Sequence, residues 1–104
     1  MILDKSKAFA LRMIKLYKYL QKEKKEFVIS KQIVRSGMSI GANAKEASLA
    51  QSKPAFIAKM NIALGECGET EYWLELLYEK GIIVIKIKHT RLNPNVHCSL
   101  YIVH

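Results

Sequence analysis

Arg12, Lys15, Lys18, Lys22 and Lys25 recur at spacings of three and four residues. At roughly 100° per residue, that spacing gathers them into one arc of a helix. Cations grouped in this way break no bonds; they neutralise phosphates and release the counterions held there. The chemistry on offer is recognition of a polyanion, either nucleic acid or an anionic membrane surface. The plainer alternative is a solvated outer face. Leu11 and Tyr19 interrupt the arc. Tyr19 among lysines suits either stacking on a base or ordinary surface.

Residues for catalysis are scarce. His89, His97 and His104 all fall in the C-terminal segment, and Cys98 follows His97 directly, which is not a usual zinc spacing. No Glu-x-x-His pair of the di-iron bundle type occurs. No Gly-x-Ser-x-Gly elbow and no phosphate loop is present. Cys67 lies on an apolar helical face with no histidine in the three helices around it, so it reads as a buried structural thiol. Glu71 falls within a core stripe and reads as a carboxylate bonded to a Lys, Arg or Asn of a neighbouring helix, with Asn43 as a candidate. The sequence therefore predicts no enzyme, no cofactor and no metal.

The whole composition supports the binding reading. The chain has 104 residues, enough for one domain, with half of them hydrophobic and a quarter charged. Its net charge is +8, and the asymmetry between halves matters more. Residues 1–52 carry 11 Lys and Arg against 4 Asp and Glu; residues 53–104 carry 6 against 5. The positive field is thus concentrated in the N-terminal half. Lys and Arg break every apolar run well before the ~20 residues of a spanning helix, and the N-terminus lacks the uninterrupted apolar stretch of a signal peptide. Two cysteines make no disulfide framework. Together these features predict a cytoplasmic protein that does not enter a membrane.

Three helices must position these residues. The first runs over about 5–24, with Asp4 or Ser6 as its cap. Phe9, Met13, Leu16, Tyr17 and Leu20 lie on its core side, opposite the cations, with Ala10 and Ile14 at the edge. A polar run from Gln21 to Glu26 forms the turn. The second helix covers about 27–50, with a main stripe of Ile29, Ile33, Ser36, Gly37, Ile40, Ala44 and Ala47. Gly37 and Gly41 should each cost about 0.5–1 kcal/mol relative to alanine, so a close backbone approach is expected to offset them. A second, weaker stripe holds Val34, Met38, Gly41 and Leu49, and suits a subunit interface.

Ser52 is a good N-cap and Pro54 fits a first turn, so the third helix covers about 54–80 and stops at Gly81. Its core stripe reads Phe56, Met60, Ala63, Leu64, Cys67, Leu74 and Tyr78. Ile62, Tyr72, Trp73, Leu76 and Leu77 lie off that stripe, so this helix is either central or touches another subunit. The candidate oligomer interface is Val34, Met38, Leu49, Trp73, Leu76 and Leu77. The tail, 82–104, is atypical: Ile82 to Lys88 is β-branched and Thr90 to Asn95 is a loop signal, which suggests a strand pair or an irregular segment.

The run Arg35-Ser36-Gly37-Met38-Ser39-Ile40-Gly41-Ala42-Asn43-Ala44-Lys45-Glu46-Ala47 closely resembles a motif of the four-helix bundle proteins encoded by intervening sequences in bacterial 23S ribosomal RNA genes. Phe9-Ala10 with Tyr17, Phe56-Ile57 with Ile62-Ala63-Leu64, and Glu69-Thr70-Glu71-Tyr72-Trp73-Leu74 agree with it. The resemblance covers roughly residues 5–81. It implies an all-α, antiparallel up-down bundle that assembles into a ring, a homopentamer. The chain is also similar to the accessory proteins of diversity-generating retroelements. These are basic pentameric bundles that bind nucleic acid and a reverse transcriptase, which implies a protein partner as well.

Residues 82–104 depart from the family pattern, in which a fourth helix follows. A shifted reading frame or a truncated gene would leave such a tail. Otherwise the tail or another subunit must cover the groove beside three helices. The expected function is an oligomeric basic adaptor that binds RNA or DNA non-specifically through phosphate contacts. The alternative is a structural oligomer or protein-interaction scaffold without nucleic-acid binding.

Overall fold

The computed structural model describes the backbone of residues 2–87 and 100–103 and the side chains of residues 3–84. The histidines, Cys98 and the Thr90–Asn95 loop lie outside the described residues. The elements are α1 (Ile2–Lys22), α2 (Ile29–Ser48), α3 (Lys53–Glu79), β1 (Val84–Ile87) and β2 (Leu100–Val103).

Helix α1 begins earlier than expected, so Asp4 and Ser6 sit inside it and do not cap it. Asp4 in the first turn and Lys22 in the last still complement the helix dipole. Ser6 Oγ donates to the Leu3 carbonyl at 3.2 Å. The helix ends at Lys22, and the chain reverses through Lys25, whose φ is +54°. Glu26 then starts α2. Its carboxylate accepts from the backbone N–H groups of Val28 (3.2 Å), Ile29 (3.0 Å) and Ser30 (2.7 Å). Three of the donors that a helix start leaves unpaired are thereby satisfied.

Both ends of α3 follow their local chemistry. Ser52 Oγ accepts from Ala55 N–H at 3.2 Å, and Pro54 lies in the first turn. At the far end Gly81 N–H donates to Tyr78 (2.9 Å) and Ile82 N–H to Leu77 (2.9 Å). These are the two bonds of a Schellman motif, and Gly81 takes the left-handed conformation it requires, at φ +73°.

Helix α2 packs against both α1 and α3. Met13, Leu16 and Leu20 of α1, Ile33 of α2, Leu74 and Leu77 of α3, and Ile83 form one buried cluster. The expected stripe of α2 is buried from Ile33 through Ser36, Gly37, Ile40 and Ala44 to Ala47. Its glycines admit α1. A Cβ at Gly41 would lie 3.3 Å from the Ser6 carbonyl oxygen, and one at Gly37 would run into Met13.

The expected stripe of α3 needs correction. Phe56, Leu64 and Tyr78 are exposed, whereas Thr70 and Leu77 are buried. Helix α3 has 27 residues against 20 in α2, so α2 cannot cover it end to end. After Gly81 the chain takes the strand-pair option. β1 and β2 pair antiparallel, with Val84 opposite Val103 and Ile87 opposite Leu100. Cys67 is also corrected: its sulfur is disulfide-bonded and is not a free thiol.

Candidate functional site

On α1 the apolar and basic residues separate by period. Met13, Leu16 and Leu20 are buried against α2 and α3, and this turns Arg12, Lys15, Lys18 and Lys22 outward, all of them exposed. Lys25 is exposed too, but it lies in the turn beyond the helix, so it is not part of the helical arc as expected. Lys7 was missed. It is exposed, and the spacing 7, 11, 15, 18, 22 places it in the same row two turns earlier, across Leu11.

The lysines of this row make no ion pair among the described residues. Among the described residues, the ion pairs join Arg35 to Glu66 (3.7 Å) and to Glu69, and Lys59 to Glu46 (2.6 Å). None involves Lys7, Lys15, Lys18, Lys22 or Lys25. The carboxylates of Glu66 and Glu69 are drawn to Arg35 across the α2–α3 contact, away from α1. Glu69 Oε1 also accepts from Trp73 Nε1 at 3.3 Å. Asp4 and Glu23 lie near the two ends of α1, and no acidic residue stands between them.

Two residues interrupt the row differently. Leu11 is 55% exposed in its centre. Tyr19 is half-buried against the core, so its ring is only partly presented to solvent. Such a face can neutralise a row of phosphates and offers little ring surface for stacking.

The expected interface residues divide. Met38 (45% exposed) and Leu49 (69%) stand on the outer side of α2, with Val34 half-buried beside them. Trp73 and Leu76 are half-buried. Leu77 is 0% exposed and belongs to the core of the single chain, so it cannot contact a second subunit without unfolding. Sequence reasoning placed Phe56 and Leu64 in the core and made no interface of them. Both are exposed, together with Ile57 and Ile62, along the first half of α3.

Glu71 is half-buried. The expected bond from Asn43 is not formed: Asn43 Nδ2 donates within its own helix, to the Ser39 carbonyl (2.9 Å) and Ser39 Oγ (3.3 Å). Among the described residues no group of His, Cys, Asp and Glu is placed to hold a metal ion. No described helix is long and apolar enough to cross a membrane.

The sequence profile described as 23S rRNA-intervening sequence protein matches residues 1–97, further than the 5–81 of the motif resemblance. Among solved structures, one similar chain is a protein with unknown function from the S23 ribosomal protein family of Bacteroides thetaiotaomicron. It is 60% identical, with 81% of this chain and 78% of that one covered, at a TM-score of 0.79. No curated protein matches.

Proposed function

We propose a role for this chain on one firm premise, that it belongs to the 23S rRNA-intervening sequence protein family: it is an oligomeric, basic helical adaptor that binds RNA or DNA through phosphate contacts. The observation that carries the reading is the lysine row of α1, exposed opposite the core and without a carboxylate in ion-pair reach among the described residues. A row of this kind contacts backbone and not base edges, so binding is sequence-tolerant. The role is binding and not catalysis, and its place is the cytoplasm.

Self-association is part of the proposal. Met38 and Leu49 on α2, and Ile57 and Leu64 on α3, leave apolar surface for a second copy. The homopentameric ring and the four-helix architecture implied by the resemblance belong here as well. Among the described residues three helices are present, and the exposed side of α3 suits a further element packed against it. The same apolar residues favour the rival reading, a scaffold that binds protein only. A protein partner is compatible with either reading.

Equilibrium binding to labelled RNA, labelled DNA and anionic vesicles, each across a range of salt, separates the two. The adaptor binds both nucleic acids, with affinity that falls linearly on a log–log salt plot. Binding to vesicles alone, or to none of the three, removes the nucleic-acid reading and leaves the scaffold.

A further inference from the structure

We propose that the polyanion taken by α1 is a double-stranded nucleic acid and not a single strand; this deepens the phosphate-binding reading above and rests on it. Lys7, Lys15, Lys18 and Lys22 are fixed along one uninterrupted 21-residue helix. At ~1.5 Å per residue, the row from Lys7 to Lys22 is about 22 Å long. Over that length a duplex carries roughly 13 charges, counted on both strands and all around its axis, and the row meets those that face it. A row fixed along one helix suits a stiff rod of charge, which has little conformational freedom to lose on binding, whereas a flexible strand must be ordered along it.

The apolar side chains of the same face point the same way. Proteins that hold single strands combine a basic track with exposed rings on which successive bases stack. On α1, Phe9, Tyr17 and Tyr19 are all half-buried, and the exposed side chain within the basic row is Leu11, which has no π face. Phe27 is exposed in the turn beyond the row and offers one ring, where a strand along the row needs several. Phe56, Tyr72 and Tyr78 are exposed on α3, another element.

The test is fluorescence anisotropy with the full chain, using a labelled 20-base-pair RNA duplex of mixed sequence and one of its strands chosen not to self-pair. The parent and Phe27→Ala are titrated with each at the same low salt. The duplex is expected to bind about 5- to 10-fold tighter, reflecting its higher charge density and lower ordering cost, and Phe27→Ala is expected to change duplex affinity less than ~2-fold, since backbone contacts carry it. A DNA duplex of equal length is expected to bind comparably. Equal or tighter binding of the strand overturns the duplex assignment while the polyanion reading stands, and loss of that binding in Phe27→Ala would identify stacking as the cause. Binding of neither probe overturns both readings.

Discussion

Thr70 Oγ1 lies 2.8 Å from Ser36 Oγ, and both side chains are buried where α3 meets α2. The hydroxyls are anchored on either side by main-chain carbonyls, Glu66 at 2.8 Å from Thr70 Oγ1 and Ile33 at 3.4 Å from Ser36 Oγ. A polar pair in an apolar contact favours one seating of the helices, because sliding would break the bond that joins them. Thr70→Val keeps the shape and removes one partner. It is expected to cost about 0.5–1.5 kcal/mol, the net worth of one hydrogen bond, because Ser36 Oγ keeps the Ile33 carbonyl as a partner. Adding Ser36→Ala should restore part of that loss. Urea unfolding of the single and double variants measures both, and an unchanged midpoint for Thr70→Val would show that the pair contributes nothing.

The glycines should separate by position. A Cβ at Gly37 meets Met13 in the core, so Gly37→Ala overpacks the α1–α2 contact and is expected to cost about 1–3 kcal/mol. Gly65 has nothing within 4 Å of an added Cβ, and there Gly65→Ala should stabilise α3 by about 0.5–1 kcal/mol through reduced chain entropy. Thermal unfolding of the two variants should move in opposite directions. A common direction would mean that the α1–α2 approach is not limited by that methyl-sized space.

The parts of the fold legible in the sequence were those set by local chemistry. Ser52 with Pro54 and Gly81 marked the ends of α3, since a cap bond and a left-handed residue are properties of a few neighbouring positions. The small-residue stripe of α2 was legible because one side of that helix is polar and fixes the phase. Helix α3 has apolar residues on several sides, so periodicity alone did not say which would be buried. Phe56, Leu64 and Tyr78 were placed inward, and Thr70, a polar residue, was overlooked. The start of α2 was missed for another reason. Val28 is no capping residue, and the capping carboxylate reaches in from Glu26. At the candidate site the lysine spacing was readable, but the end of α1 was not, which added Lys25; the break at Leu11 hid Lys7.

Association between copies should depend on the outer side of α2 and not on Leu77. Light scattering at micromolar concentration is expected to show more than one subunit for the parent. Met38→Glu with Leu49→Glu should lower that mass and keep the helical circular dichroism, because both side chains are already exposed. Leu77→Glu should abolish the fold, since it places a charge without a partner in the core. An unchanged mass for the double variant would move the interface to the exposed residues of α3. A monomeric parent would remove the oligomer altogether.

The most direct measurement concerns the lysine row itself. Binding of the parent to a 20-base-pair duplex is followed from low to physiological salt beside a variant carrying Lys15→Gln, Lys18→Gln and Lys22→Gln. All three residues are exposed, so the variant should fold as the parent does. Each phosphate contact contributes roughly −0.9 to the log–log salt slope on duplex DNA. Removal of three cations is therefore expected to flatten the slope by up to about 2.7 and to weaken binding equally for unrelated sequences. A folded variant that binds as tightly as the parent, with the same slope, would contradict a phosphate-binding role for α1.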